Sequence, residues 1–257
     1  MEISPAREAL LANDPYLIGA AHRRHHFNLK ELVANLESIM ACPIDAIAQW
    51  SGDKFALVTS CNQHQADRTL YAELTPCDPK TTAAVLAAFD EVSKIPPFAA
   101  IVAGGTHRLA ISTACSGSSS ISSLPGYSMI EAPQVGQPWG PRQFNGLVHE
   151  AVHGLLFLAE CFADRQLVRE GSRSTISSPW TGSPLDTYQF AQALVVWHVL
   201  LAYWSQVDVQ SPERATAAKG FDGAQGAIRT LDAIRKEIEP DYLDILYACA
   251  TRAGQSI

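Results

Sequence analysis

The sequence predicts an α+β fold that is mostly helical, with a small antiparallel sheet just before a long central helix. Three observations indicate this class: several long segments have apolar residues at helical spacing, the stretch 98–132 has a strand-like pattern, and helical spacing returns after Pro141. With 257 residues, 47% hydrophobic and 18% charged, the chain can bury a sizeable core. We therefore expect a single domain over 1–257, with a helical N-terminal part at about 1–97 and a second part at about 98–257.

The N-terminal part contains two predicted helices and two candidate strands. In "FNLKELVANLESIMA" apolar residues recur every three or four positions after Asn28, a residue that can cap a helix. The stretch "DPKTTAAVLAAFDEVSKI" is predicted to begin a helix at Asp78-Pro79 and to end it before Pro96-Pro97. The short runs "KFALVTS" and "TLYAEL" lie between these helices and are the candidate strands.

The segment 98–132 is predicted to form the sheet. In "AAIVAGGTHRLAIST" two apolar runs are joined through Gly104-Gly105, which indicates a hairpin. In "SGSSSISSLPGYSMIEAP" apolar and small polar residues alternate around a turn at Pro125-Gly126. We predict that an edge strand of this sheet faces the following helix and pairs with an extended peptide, because exposed strand edges bind peptides through main-chain hydrogen bonds.

The rest of the chain is predicted to be helical. Apolar spacing gives one helix at about 143–169, a second at about 186–204, a third at about 211–220 and a last one at about 223–253 with a break at Pro240.

Composition argues against several classes of partner. The net charge of -7 and the pI near 5.6 are not those expected of a nucleic-acid-binding protein. Six widely spaced cysteines without a C-x-x-C pair indicate neither a disulfide framework nor a zinc ribbon. The first residues lack the pattern of a signal peptide, and the apolar run 191–204 is shorter than the ~20 residues of a membrane span. We expect a cytoplasmic protein with no membrane or nucleic-acid partner.

The segment "LVHEAVHGLLFLAE" carries an H-E-x-x-H motif, formed by His149, Glu150 and His153. Residues four apart lie on one face of a helix, so the two imidazoles can converge on one metal ion. Glu150 lies at the edge of the same face, where it can act on a metal-bound water and is therefore the candidate catalytic residue. Four-letter matches also occur by chance in amphipathic helices, but buried unpaired histidine and glutamate are costly, which favours a metal site.

The third metal ligand is left open by spacing alone. Glu160 lies seven residues beyond His153, about 10 Å further along the helix, which is too far to share the ion. The next helix offers Asp186, Gln192 and His198, but Asp186 can serve as its N-cap and His198 lies in an apolar run typical of the core.

Beyond the motif, the chain resembles the HEXXH-motif peptide-modification proteins, which are found beside gene clusters for ribosomally made, modified peptides. The matching elements are Ser178-Pro179-Trp180, Pro184, the Tyr203-Trp204 pair, and the serine-rich stretch and Pro-Gly turn of "SGSSSISSLPG" ahead of the motif. The resemblance covers roughly residues 100–205.

The resemblance implies an Fe(II)- and α-ketoglutarate-dependent β-hydroxylase acting on a precursor peptide. Where the family often has a histidine this chain has Gln192, which the resemblance therefore implies as the third ligand, with Asp186 as the alternate. Two histidines and one further ligand would leave positions for a bidentate keto acid and O₂. The distal carboxylate of α-ketoglutarate needs a cation, and Arg142 is the nearest in sequence, with Arg165 and Arg173 behind it.

Two other functions compete with this one. A zinc metallopeptidase would use Glu150 as general base on a zinc-bound water. A catalytically degenerate module that only binds a peptide would explain the neutral Gln192 at a ligand position. In all three cases we expect Trp180 and Trp204 to be structural and to pack around the second helix.

Overall fold

The computed structural model describes most of the chain beyond residue 78 and two short strands before it. The described residues are 56–60, 75–76, 79–106, 108–112, 117–120, 122, 127–134, 137–163, 167–169, 172, 174–222 and 226–255. The predicted helix in "FNLKELVANLESIMA" and the candidate strand "TLYAEL" lie outside them. Within them the predicted α+β class, mostly helical with a small sheet before the central helix, is confirmed.

Five of the described strands form one sheet. They are β1 (Ala56–Ser60), β2 (Thr75–Pro76), β3 (Arg108–Ser112), β4 (Ser118–Ser120) and β5 (Tyr127–Glu131), in the order β2-β1-β3-β5-β4. The three inner strands β1, β3 and β5 are parallel, whereas β2 and β4 pair antiparallel at the two edges. The sheet is therefore mixed rather than antiparallel throughout as predicted, and its antiparallel strands β2 and β4 occupy the two edges.

The hairpin predicted through Gly104-Gly105 is wrong, because this segment is helical. Helix α1 (Pro79–Ser93) is followed directly by α2 (Pro96–Gly105), whose first residues are prolines. Proline is favoured at the first helical position, and the alanines that follow have high helix propensity. Strand β3 begins only at Arg108, so the predicted sheet segment 98–132 starts about ten residues too early.

Helix α3 (Pro141–Ala163) carries the H-E-x-x-H motif and packs against α2 backbone to backbone. A Cβ on Gly154 would lie 2.0 Å from the carbonyl oxygen of Gly105, and one on Gly105 would lie 1.9 Å from that of Ala151. Only glycine allows so close an approach, so Gly105 and Gly154 determine how close the backbones of α2 and α3 lie.

Helix α4 (Thr187–Val207) runs through the core. It follows the hairpin of β6 (Thr175–Ser177) and β7 (Pro184–Asp186), and Asp186 caps it as predicted, in a capping box with Gln189. The helix is long and apolar enough to cross a membrane, but 67% of its most apolar window is buried inside the protein.

Three shorter helices complete the described chain; the first and the last of them pack against α4, and the middle one packs against the last. They are α5 (Pro212–Lys219), α6 (Ala227–Ile234) and α7 (Pro240–Gln255), with a 3₁₀ turn at Arg235–Glu237 between the last two. The predicted break at Pro240 is confirmed.

The predicted burial of both tryptophans is also confirmed, each with 2% of its surface exposed. The indole of Trp180 donates to the carbonyl oxygen of Ala217 at 3.1 Å, and that of Trp204 donates to Asn145 Oδ1 at 2.9 Å. Trp180 also occupies the space that a side chain at Gly220 would need.

Candidate metal site

The two motif histidines lie side by side on α3. Their ring centroids are 5.0 Å apart, and 27% of the His149 side chain is exposed. Aromatic rings from α3 and α4 flank them: Phe157 stacks on His153 at 5.7 Å, and Trp197 meets His149 edge-on at 6.3 Å. The two imidazoles therefore lie next to each other in a partly apolar setting that retains access from solvent, and their binding of one metal ion stays a prediction.

The His149 ring is in the protonation state that a metal requires. Its pKa is lowered to about 4, chiefly because burial disfavours the imidazolium, with the nearby charge of Glu150 opposing the shift and His153 adding to it. At neutral pH the ring is therefore neutral and keeps a nitrogen lone pair, the form in which histidine binds a metal.

Glu150 is buried, with 2% of its side chain exposed, and β4 holds both of its carboxylate oxygens. Ser118 Oγ donates to Oε1 at 2.6 Å, and Ser120 Oγ donates to Oε2. These two serines share one face of β4 because side chains two apart in a strand point the same way. Through these two bonds the carboxylate of Glu150 links strand β4 to α3. Its Oε1 also lies 3.8 Å from His149 Nε2, so the link is next to the histidine pair.

Gln192 comes from α4 and lies against the second histidine. Its Oε1 is 2.8 Å from His153 Nδ1, although the two residues are 39 positions apart in the chain. Helix α4 thus brings Gln192 into contact with His153, and its role as third ligand stays a prediction. The alternate, Asp186, is exposed and engaged as the cap of α4, six residues and about 9 Å of helix before Gln192.

Behind Gln192 a chain of hydrogen bonds leads to Glu160. Gln192 Nε2 donates to Tyr188 Oη at 3.1 Å, and Tyr188 Oη donates to Glu160 Oε2 at 2.6 Å. Glu160 Oε1 accepts from the Leu167 backbone N–H at 3.0 Å. Burial raises the pKa of Glu160, and the bonds from Tyr188 and Leu167 oppose that rise. Glu160 is thus joined to the site indirectly, in keeping with its predicted distance from the ion.

Arg142 lies in the first turn of α3, seven residues before His149. Its guanidinium forms an ion pair with Glu131 of β5 at 2.7 Å, and 63% of its side chain is exposed. Glu131 also accepts from the backbone N–H of Gly117 at 2.7 Å, so the pair braces the start of β4. The role predicted for Arg142 in binding α-ketoglutarate stays a prediction, and Arg165 and Arg173 lie outside the described residues.

The donors that the structure brings together are two imidazoles and one amide. In the part of the chain that the structure describes, no group of three or more His, Cys, Asp or Glu side chains could share an ion. A neutral amide oxygen is an acceptable but weak third donor for a divalent first-row metal, whereas the imidazole pair suits iron and zinc equally.

The Ser-Pro-Trp element named in the resemblance reaches the site through one further tryptophan. Trp180 stacks on Trp197 at 5.9 Å with an angle of 10° between the rings, and Trp197 contacts His149. Sequence reasoning missed Trp197 and Tyr188, and it missed that Ser118 and Ser120 hold Glu150. The alternating serines of "SGSSSISS" were the available indication for the last two.

No protein-family model matches the sequence, and no curated protein is significantly similar to it.

Proposed function

We propose that this protein is an Fe(II)- and α-ketoglutarate-dependent β-hydroxylase that modifies a ribosomally made precursor peptide. The observation that carries the proposal is the imidazole pair of His149 and His153, side by side on α3, with the amide of Gln192 beside it. This donor set fits Fe(II) and leaves coordination positions for a bidentate keto acid and O₂. The bound iron would supply the oxidising power for hydroxylation. The sequence resemblance to the peptide-modification proteins selects this chemistry among those that two histidines permit.

The side chains of this chain would bind and orient the reactants. His149 and His153 would hold the metal. The sequence resemblance implies Gln192 as the third protein ligand, with Asp186 as the alternate, but the contact of Gln192 Oε1 with His153 Nδ1 competes with that role. Arg142 would pair with the distal carboxylate of α-ketoglutarate, for which its planar guanidinium is suited and its exposure leaves room. Glu150 lies beside the metal position without holding the ion, since both of its oxygens accept serine hydroxyls.

The proposed peptide substrate would pair with β4. This strand is at the edge of the five-stranded sheet, where its only partner among the described strands is β5. Glu150 ties it to the helix that carries both histidines. A peptide added in extended form along this edge would be held through its main chain, as in other strand-addition complexes. Its side chains would then alternate toward and away from the histidine pair.

A zinc peptidase is the second candidate, and one distance favours it. Glu150 Oε1 is 3.8 Å from His149 Nε2, close enough to the metal position to act on a bound water. The serine bonds weigh against this role, because the carboxylate would have to exchange a serine hydroxyl for the water. A module that only binds peptides would show neither activity.

The proposal is tested by α-ketoglutarate turnover. The protein is loaded anaerobically with Fe(II), exposed to air with α-ketoglutarate and a cognate precursor peptide, and assayed for succinate. We expect succinate from wild type and background levels from His149→Ala and His153→Ala, with His198→Leu as the histidine control away from the site. The same protein loaded with Zn²⁺ should leave the peptide intact. Peptide cleavage by the zinc form without succinate from the iron form would replace the proposal with the peptidase.

A further inference from the structure

The hydrogen-bond chain behind His153 has a direction that is fixed at its far end. Glu160 Oε1 accepts from the Leu167 backbone N–H, and Oε2 faces Tyr188 Oη at 2.6 Å. A phenol has a single hydrogen, and at this separation it is donated to the carboxylate. Toward Gln192, Tyr188 can therefore only accept.

This direction determines how the amide of Gln192 is turned. The atom that faces Tyr188 Oη at 3.1 Å has to be a donor, so it is the amide nitrogen. The atom 2.8 Å from His153 Nδ1 is then the amide oxygen, which can only accept. His153 must donate from Nδ1, and its lone pair is on Nε2.

We propose that Gln192 is a positioning residue, which holds His153 in the Nδ1–H tautomer by a relay through Tyr188 that is anchored at Glu160. The inference rests on the metal site of the proposed function but not on which metal or reaction it serves. Metal-bound histidines characteristically donate their second ring N–H to an oxygen, which fixes the ring orientation and leaves the other nitrogen for the metal. The amide oxygen of Gln192 is used by this bond, so the relay assigns the residue a role different from that of third ligand.

The relay also explains why the polar side chains of Gln192, Tyr188 and Glu160 lie between α3 and α4. Gln192 is 2% exposed, and an amide buried at that level needs partners for both its oxygen and its nitrogen. His153 and Tyr188 satisfy one each. Removing the Tyr188 hydroxyl would leave the Gln192 amide nitrogen without this acceptor. The amide could then turn either its oxygen or its nitrogen toward His153.

The tautomer is measured directly by long-range ¹H–¹⁵N correlation spectra of the histidine rings in metal-free protein at mildly alkaline pH. The affinity for Zn²⁺ is measured in parallel by competition with a chelating dye. The test variant is Tyr188→Phe, which keeps the ring and deletes the hydroxyl. The matched control is Tyr247→Phe, since the Tyr247 hydroxyl donates to Asp232, outside the relay. Gln192→Met gives a second test in case Tyr188→Phe unfolds.

We expect wild type and Tyr247→Phe to show His153 as a single Nδ1–H tautomer. Tyr188→Phe and Gln192→Met should show a mixture of tautomers and bind Zn²⁺ about 10- to 100-fold more weakly, the usual loss when such a partner is removed. An Nε2–H tautomer in wild type would overturn the inference, as would unchanged tautomer and affinity in both variants. If wild type binds no metal, the proposed function fails, whereas the metal-free spectra still decide the relay.

Discussion

The close approach of α2 and α3 predicts that Gly154→Ala loosens the packing that supports the histidine pair. The added Cβ would lie 2.0 Å from the carbonyl oxygen of Gly105, whereas ordinary contact begins at 3.4 Å. The two backbones would have to separate by about 1.4 Å, which is the kind of overpacking that costs about 1–3 kcal/mol. Because the clash is with backbone, we take the upper part of this range, about 2–3 kcal/mol; alanine regains up to about 1 kcal/mol of helix propensity, so we expect a net loss of about 1–2 kcal/mol.

The matched control is Gly254→Ala in α7, where the nearest atom to the new Cβ is 3.9 Å away. It should leave stability unchanged or raise it by up to about 1 kcal/mol, because only the propensity changes. Both variants are measured by urea denaturation followed by circular dichroism, and the Zn²⁺ affinity of each folded protein is then compared. Gly154 directly follows His153, so the Gly154→Ala variant should also bind the metal more weakly. A Gly154→Ala protein as stable as wild type would refute the close approach of these helices.

Three further predictions concern single side chains. Glu150→Gln should lower peptide hydroxylation far more than it lowers metal content; a variant that loses the metal instead would make Glu150 a ligand. Trp204→Phe should lose about 1–3 kcal/mol, because the bond to Asn145 and core volume are both lost, and it should keep peptide affinity in a fluorescence titration. His198 has a pKa lowered to about 4 by burial and, secondarily, by Arg252, so the unfolded chain takes up its proton first and stability falls as pH drops from 6.5 toward 4. By pH 5 this amounts to about 2 kcal/mol, so acid-titrated melts of wild type should lose about that much more stability than those of His198→Leu, while the contribution of His149 is common to both.

The long helices could be predicted because their own sequences determine them. Helix α3 begins at a proline and keeps apolar residues at helical spacing, and the cap at Asp186 is specified by local residues. The segment of α2 could not be assigned in this way. It is short and almost wholly apolar, so its pattern does not distinguish a buried strand from a buried helix, and Gly104-Gly105 suggested a turn. The reason for Gly105 is its contact with α3, which is a tertiary feature.

The site was predictable only where one helix supplies it. His149 and His153 follow from helical periodicity alone, and Gln192 was reached through the resemblance. The partners of Glu150 are 30 and 32 residues away on β4, and no local pattern links a serine run to a particular carboxylate. The relay through Tyr188 to Glu160 likewise depends on how α3 packs against α4, which pairs residues 28 positions apart.

The most direct test of the account is the mass of the peptide after reaction. A cognate precursor peptide is incubated with the iron-loaded protein, α-ketoglutarate and O₂, and is then analysed by tandem mass spectrometry beside a His149→Ala reaction. We expect a gain of one oxygen atom, located by fragmentation at the β-carbon of one residue, and no change with the variant. A peptide that is cleaved, or one left unchanged by protein that has retained its iron, would contradict it.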